Sequence, residues 1–236
     1  MERMKQHYLK ILDRLINEYE FMQEVKNDEY ADPEDILYRW ENYRAASSAL
    51  NIWMKAGATR LVIGADDEDY IIKIQLDVND CEDYGAREAE ICQEAKELGL
   101  LDFFANSFFL FDYTLPWGTK LPVYAMEKCS CNATQMSDDT CEYQYQKYCK
   151  ERNLPDNSAN RSAFFSNYCP DESTEQIEYA LSRWGLDIAK EALLLNFMRD
   201  WYINDLHSGN WGYRGDMLVM IDYGGYGCTD ERCIDY

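Results

Sequence analysis

The sequence predicts an α+β fold with an antiparallel sheet, and three observations support that prediction. Two β-branched runs flank an acidic turn at 66–69, which is typical of a β-hairpin. Residues 175–202 repeat apolar side chains at helical spacing. A second hairpin follows, because two short strand-like runs at 211–214 and 217–221 are joined by Gly215-Asp216.

Composition limits the class of protein. The 236 residues are 47% hydrophobic and 14% aromatic, which is enough for the core of one sizeable domain or of two small lobes. The formal net charge of −21 disfavours a nucleic-acid or anionic-membrane partner, because like charges repel. There is no run of eighteen apolar residues and no apolar signal segment at the start, so we expect a cytoplasmic protein without a membrane partner. Its nine cysteines are then expected to be reduced thiols.

Residues 1–48 are predicted to form an N-terminal helical extension. Residues 5–25 place apolar side chains at the spacing of an amphipathic helix. Asp32-Pro33 supplies an N-cap and a proline at the first helical position, so a second helix is predicted to begin there. Two endings fit the pattern: the helix continues to residue 55, or residues 50–55 form a strand.

Three strands and a helix are predicted between residues 60 and 128. Arg60–Ile63 and Tyr70–Ile74 are the strands of the first hairpin, Gly85–Leu98 is the helix, and Val123–Lys128 is the next strand. Lys73 is a charge inside the second β-branched run. Taken alone, it is typical of a surface lysine on the exposed face of a half-buried sheet.

Residues 129–171 are polar and contain five cysteines, and we expect an irregular, partly helical insertion there. A zinc site is disfavoured because the Cys129-x-Cys131 spacing is tight and no histidine lies nearby. Residues 175–202 are predicted to form one long helix, in which Gly185 costs about 1 kcal/mol relative to alanine. The expected buried side of that helix consists of Ile177, Leu181, Trp184, Ile188, Leu195 and Met198.

Three polar side chains around the second hairpin are candidates for a functional site. Asp205 and Asn210 precede the hairpin and Asp222 follows it, so the hairpin is expected to bring them to one end. A carboxylate can orient the proton of an attacking hydroxyl group. An amide oxygen and a second carboxylate can hold Mg²⁺, a hard cation that prefers oxygen ligands. Together these residue types favour phosphoryl transfer.

The pattern Asp205-Leu206-x-x-x-Asn210, followed by Asp222-Tyr223-Gly224, resembles the catalytic motifs of the protein-kinase-like superfamily. The residues from Asp205 to Asn210 are similar to the branch that contains aminoglycoside and choline phosphotransferases and several atypical bacterial or viral kinases. The resemblance covers residues 50–224. It implies a two-lobed fold, with an antiparallel N-lobe over 49–127 and a reduced helical C-lobe over 128–236 that lacks an A-P-E motif.

The resemblance also implies ATP and Mg²⁺ as cofactors. Asp205 would orient the acceptor hydroxyl, and Asn210 and Asp222 would hold Mg²⁺. Lys73 matches the strand lysine whose ammonium contacts the ATP phosphates, and such a lysine needs a carboxylate from the following helix. For that carboxylate we expect Glu90.

Glu88 is the second choice for the partner of Lys73. It differs from Glu90 in direction, because residues two apart on a helix point away from each other. The further residues that the resemblance places near ATP are Gly57, Thr59, Met126, Glu127, Lys128 and His207.

These further residues belong to three different features. The glycine-rich loop of the superfamily is reduced here to Gly57-x-Thr59. Residues 126–128 match the hinge that bonds the adenine edge, and an ordinary edge strand is the alternative. His207 would position a phosphate or bond Asp222, and a structural loop histidine bonded to backbone is the alternative.

The implied function is an ATP- and Mg²⁺-dependent phosphotransferase, most simply a minimal protein Ser/Thr kinase of bacterial or phage effector type. Its partner would be a protein that presents the acceptor hydroxyl. The alternatives are transfer to a small-molecule hydroxyl, transfer of AMP instead of phosphate, and a catalytically inactive pseudokinase that acts as a binding module. A further alternative is an interaction module organised by the cysteines of 129–169.

Overall fold

The computed structural model of the protein describes residues 1–18, 48–56, 60–75, 83–115, 118, 120–168 and 172–224. Within these ranges it has both helices and an antiparallel sheet, so the predicted α+β class is confirmed. The chain divides into two compact units, one formed by 1–93 with 106–128 and the other by 94–105 with 129–236. In the described helices no stretch is both long enough and apolar enough to span a membrane.

The elements follow the chain in order. Those that begin in the first unit are α1 (Glu2–Glu18), β1 (Ile52–Ala56), β2 (Arg60–Ala65), β3 (Tyr70–Gln75), α2 (Tyr84–Glu97), β4 (Ser107–Thr114) and β5 (Lys120–Glu127). Those of the second unit are α3 (Ala133–Arg152), α4 (Ser158–Phe165), α5 (Glu172–Trp184), α6 (Ile188–Asp200), β6 (Trp211–Arg214) and β7 (Met217–Met220), with short 3₁₀ turns at Leu101–Phe103 and Ser208–Asn210. The predicted helix starting at Asp32-Pro33 lies outside the described residues.

An antiparallel sheet organises the first unit. Among the described strands its order is β1-β2-β3-β5-β4, and β2 and β3 form the hairpin that the acidic turn predicts. Residues 52–56 pair with β2, so the strand is the correct choice between the two endings of the preceding helix. Because β5 lies between β3 and β4, the edge-strand alternative for residues 126–128 is wrong.

One face of the sheet packs against α1. Ile63 and Ile72 point to this face, and they form one buried cluster with Tyr8 and Leu15 of α1. The Tyr8 hydroxyl also donates a hydrogen bond to the Tyr70 carbonyl (2.5 Å). The described part of the segment predicted as an N-terminal extension therefore belongs to the first unit.

The opposite face of the sheet has polar side chains. Arg60, Lys73 and Gln75 point to this face, because side chains alternate along a strand and directly paired residues share a face. All three are buried. Since buried charges require partners, this face is where a polar site is expected.

Helices α3 and α4 occupy much of the region predicted to be an irregular, partly helical insertion, so the helical part of that prediction is confirmed and the irregular part is smaller than expected. Asn132 caps α3 by accepting a hydrogen bond from the Gln135 amide (3.0 Å), and Asn153 ends it in left-handed backbone (φ 51°). Asn157 caps α4 by accepting from the Asn160 amide (2.9 Å). Polar residues that suggested a loop are thus helix caps.

The prediction of a single helix over 175–202 is wrong, because the structure has two helices there. Gly185 has a φ of 58°, a left-handed conformation typical of a helix end. Asp187 then begins α6 by accepting a hydrogen bond from the Lys190 amide (2.8 Å). The break changes which side chains are buried: Ile188 is 89% exposed, and Leu194 is fully buried.

The second hairpin is confirmed. Strands β6 and β7 pair along their whole length, with Gly215 (φ 60°) in the turn between them. The Trp184 Nε1 of α5 donates a hydrogen bond to the Leu218 carbonyl of β7 (2.9 Å), so a helix supports the hairpin from one side.

We expect Gly185→Ala to lower the free energy of unfolding by about 1 kcal/mol, because an alanine in left-handed backbone is strained. A continuous helix through residue 185 would give the opposite sign, since alanine is the better helix former. Urea unfolding followed by circular dichroism measures the difference. A variant more stable than the wild type would contradict the helix break.

Tyr8 makes stability depend on pH in the alkaline range. Burial raises the pKa of its hydroxyl from 10.0 to about 12. A pKa that is higher in the folded state contributes stability below pH 10.0, and that contribution is lost as the pH rises towards 12. We therefore expect the free energy of unfolding to fall more steeply over this range in the wild type than in Tyr8→Phe.

Urea unfolding at about pH 8, 10 and 11 compares the two proteins. At the lowest pH Tyr8→Phe should cost about 1 kcal/mol, since the Tyr70 carbonyl loses its hydrogen bond. Equal pH slopes for the two proteins would show that Tyr8 does not titrate as assigned.

Candidate functional site

An ion pair links the sheet of the first unit to α2. The Lys73 ammonium of β3 lies 3.0 and 3.2 Å from the two carboxylate oxygens of Glu88. Glu88 is fully buried. The expected partner Glu90 is exposed on the same helix, so the pairing of Lys73 with Glu90 is wrong. Two residues of helix turn the side chain about 200° away, and the sequence alone left the choice open.

The start of α2 is held in place by contacts that direct Glu88 to Lys73. The Asp83 carboxylate accepts hydrogen bonds from the Gly85 amide (3.0 Å) and from the Tyr124 hydroxyl of β5 (2.6 Å). Gln75 of β3 accepts a hydrogen bond from the Tyr84 amide (3.2 Å). Burial, and then the hydrogen bond to Asp83, hold the pKa of Tyr124 well above its usual value. The hydroxyl therefore stays protonated and remains a donor.

Gly85 allows the helix to approach the sheet this closely. A Cβ atom at residue 85 would lie 2.2 Å from the Tyr124 ring, which no real side chain tolerates. The glycine, read from the sequence only as a helix start, is thus required by packing. Glu88 follows it by three residues, on the part of the helix nearest Lys73.

Arg60 is a site residue that the sequence reasoning missed. Its Nη1 lies 2.9 Å from the Glu88 Oε1 that also contacts Lys73. The strand period would have revealed it: Val62 pairs directly with Lys73, and Arg60 lies two residues earlier on the same face. Glu88 therefore bridges two cations.

The predicted adenine neighbours are held by contacts within the first unit. Met126 is buried in β5, opposite Ile71. The amides of Glu127 and Lys128 donate to the carbonyls of Asn106 and Asp69, both at 2.8 Å. In this conformation neither amide is available to an adenine edge. Gly57 and Thr59, predicted to lie at the phosphates, are outside the described residues.

In the second unit, α6 leads into the loop that contains Asp205. Tyr202 adopts left-handed backbone (φ 51°), and the Ile203 amide bonds back to the Met198 carbonyl (2.8 Å). This closes the helix with a Schellman motif. Leu206 is buried and its carbonyl accepts a hydrogen bond from the indole of Trp211 (3.0 Å). Asp205 lies between the buried residues Ile203 and Leu206, and its side chain is 43% exposed.

Asn210 connects this loop to the residues after the hairpin. Its side-chain Nδ2 donates to the Asp205 carbonyl (2.6 Å), and its own carbonyl accepts from the Ile221 amide (2.9 Å). These bonds bring Asp205 and Asn210 together and place the backbone next to Asp222 at the same end of the hairpin.

The chemistry of these side chains suits a hard cation. With its nitrogen directed at Asp205, the Asn210 amide has Oδ1 as its acceptor atom, and Asp222 adds a carboxylate. Mg²⁺ takes one or two protein oxygens of this kind and completes its shell with water and phosphate. Within the described part of the chain, no group of three or more His, Cys, Asp and Glu side chains is arranged to hold a metal. Cys129 and Cys131 form no disulfide.

The tyrosine of the Asp222-Tyr223-Gly224 segment fixes the position of that segment. Tyr223 is buried, and its hydroxyl donates to the Ala105 carbonyl (2.5 Å). Its ring meets that of Phe104 edge to face, with centroids 5.2 Å apart. The Ala105 amide in turn donates to the Met220 carbonyl (2.8 Å). The backbone next to Asp222 is therefore held on both sides.

His207 is a loop histidine bonded to backbone, as the alternative interpretation states. Its Nδ1 accepts a hydrogen bond from the Gly209 amide (3.1 Å), so the neutral ring has its proton on Nε2. That Nε2 lies 4.0 Å from the Asp205 carboxylate. The contacts that define its position here are thus with the Gly209 amide and, at 4.0 Å, with the Asp205 carboxylate.

Comparison of the chain with protein-family models, with curated proteins and with solved structures finds no match. Each unit therefore has its own group of candidate residues, described by its own chemistry. The first unit offers a buried Arg60–Glu88–Lys73 cluster. The second offers a loop in which the partly exposed Asp205 lies beside Asn210.

We expect Glu88→Gln to lower the free energy of unfolding by about 3 kcal/mol, because it removes the carboxylate that two buried cations share. Glu90→Gln removes the same charge from an exposed position on the same helix and should have little effect. Urea unfolding of both variants measures the contrast. A larger loss from Glu90→Gln would show that Glu90 is the partner of Lys73.

Proposed function

We propose that this protein is an ATP- and Mg²⁺-dependent phosphotransferase of the protein-kinase-like kind, with a protein Ser or Thr hydroxyl as acceptor. The observation that supports it is the ion pair between Lys73, on the third strand of the sheet, and Glu88, on the helix that follows. Active protein kinases require a strand-lysine and helix-glutamate pair in this order. The two-lobed kinase arrangement is part of the proposal.

Residues of the first unit would bind the phosphates. Lys73 presents an ammonium whose direction is set by Glu88, and Glu88 is set in turn by the capped start of α2. Phosphoryl transfer requires little covalent chemistry from the protein, so positioning of this kind is a main way in which the protein would lower the barrier.

Residues of the second unit would handle the acceptor and the metal. Asp205 would orient the acceptor hydroxyl and take its proton as the new oxygen–phosphorus bond forms, with ADP as the leaving group. Asn210 and Asp222 would hold Mg²⁺ through their side-chain oxygens. Bound Mg²⁺–ATP supplies the phosphoryl group and part of the charge neutralisation. His207, which lies 4.0 Å from Asp205, would keep that carboxylate in place.

A pseudokinase is the second candidate function, and one observation favours it. The Glu127 and Lys128 amides, expected at the adenine edge, already donate to protein carbonyls. A chain that bound partners without using a nucleotide would tolerate this arrangement. Transfer to a small-molecule hydroxyl and transfer of AMP are variants of the first candidate.

Incubation of the protein with γ-labelled ATP, Mg²⁺ and a cell lysate tests the proposal. We expect label transfer to fall by about 10²-fold or more in Asp205→Ala, because the group that accepts the proton is lost. Asp216→Ala is the matched control, since Asp216 is exposed in the turn at the other end of the hairpin, and its activity should equal that of the wild type. Equal labelling by the wild type and Asp205→Ala would overturn the proposed chemistry.

Three further measurements separate the alternatives. If Mg²⁺–ATP fails to raise the melting temperature of the wild type, the pseudokinase candidate is favoured. Labelling from α-labelled ATP but not from γ-labelled ATP would indicate AMP transfer, because the γ-phosphate then leaves as part of pyrophosphate. Label found in small molecules and not in protein would identify a small-molecule acceptor.

A further inference from the structure

One oxygen atom of Glu88 contacts two cations, and its other oxygen contacts Lys73 as well. Its Oε1 lies 3.0 Å from the Lys73 ammonium and 2.9 Å from Nη1 of Arg60. The Lys73 and Arg60 side chains are 6% and 11% exposed, and that of Glu88 is fully buried. The proposed function uses the lysine and leaves the arginine without a role.

The position of Arg60 in the chain is specific. It is the first residue of β2 and directly follows the Gly57-x-Thr59 segment. On the sheet Arg60 pairs with Gln75 of β3. It therefore shares a face with Lys73, which lies two residues before Gln75 on that strand. Its guanidinium also lies 6.0 Å from the centre of the Tyr84 ring, a distance at which a cation is attracted to an aromatic face.

The chemistry of the guanidinium suits a phosphate chain. Arginine has five N–H donors in a planar fork that matches phosphate oxygens in pairs, whereas lysine acts as a point charge. Nη1 is the guanidinium nitrogen that lies against Glu88. Charge-assisted hydrogen bonds from a guanidinium to a phosphate are among the stronger hydrogen bonds in proteins.

We propose that Arg60 is a second phosphate-binding cation, which acts beside Lys73 on the β- and γ-phosphates of the nucleotide. The inference rests on the proposed function for its choice of ligand. In the superfamily that the sequence resembles, a glycine-rich loop covers the phosphates, and that motif is reduced here to Gly57-x-Thr59. A cation at the first position after the reduced loop compensates for the missing loop contacts with charge.

The experiment measures how affinity depends on the number of phosphates. Calorimetric titration with Mg²⁺ compares ATP, AMP, adenosine and inorganic tripolyphosphate as ligands of the wild type, Arg60→Gln and Arg60→Lys. The matched control is Lys120→Gln, because Lys120 is an exposed cation at the start of β5 in the same unit.

Arg60→Gln is expected to weaken ATP and tripolyphosphate binding by about tenfold or more, since a charge-assisted contact is lost. Adenosine binding should stay unchanged, and AMP should change by about twofold at most. Arg60→Lys keeps the charge but not the fork, so it should weaken ATP binding by a smaller factor. Lys120→Gln should match the wild type for every ligand.

Two results would overturn the assignment. One is unchanged ATP affinity in both Arg60 variants. The other is an equal loss for ATP and adenosine, which would make Arg60 a support for α2 and not a phosphate ligand. If Arg60→Gln fails to fold, Arg60→Lys decides by the same comparison. A wild type that binds neither ATP nor tripolyphosphate would overturn the proposed function itself. If the wild type binds both ligands and the Arg60 variants bind them with the same affinity, only the role of Arg60 is overturned.

Discussion

The buried carboxylate of Glu88 is the interaction on which the organisation of the first unit depends. Removing three charged groups from water costs several kcal/mol for each, and good geometry is needed to offset that cost. The geometry comes from neutral neighbours: the Tyr124 hydroxyl fixes the Asp83 cap, and Gly85 lets α2 lie against the Tyr124 ring. The apolar core on the other face of the sheet, which includes α1, keeps β2 and β3 in register. A polar site is therefore built on a rigid sheet and supported from both faces.

The second unit uses the same principle with hydrogen bonds in place of an ion pair. Its polar loop is irregular, and irregular backbone is stable only when its groups have partners. Trp211 holds the loop at Leu206, Asn210 holds it at Asp205, and Tyr223 fixes the segment beyond the hairpin. Each of these three anchors is buried, whereas Asp205 is partly exposed. This arrangement leaves the Asp205 carboxylate accessible while its backbone is held.

Much of the fold could be predicted because its signals are local. The first hairpin follows from an acidic turn between β-branched runs, and the second from Gly215-Asp216 between apolar strands. The errors also have physical causes. Gly185 was treated as a tolerated cost within a helix, whereas its left-handed backbone ends one helix before Asp187 begins the next. Which conformation a glycine adopts is decided by what the helix packs against, and periodicity does not report that.

The sequence by itself determined the two hairpins and the chemical types of the candidate residues: a lysine in a β-branched strand, an Asp and an Asn before a hairpin, and an Asp after it. These depend on residue identity and spacing along the chain, which are visible in one dimension. The tertiary structure alone decided that Glu88 and not Glu90 meets Lys73, that Arg60 joins them, and that His207 lies by Asp205. Those choices depend on the rotation of a helix about its axis and on the register of neighbouring strands. The rotation of α2 is set by the Asp83 cap and by the close contact at Gly85. Both involve Tyr124, which lies dozens of residues away in the chain.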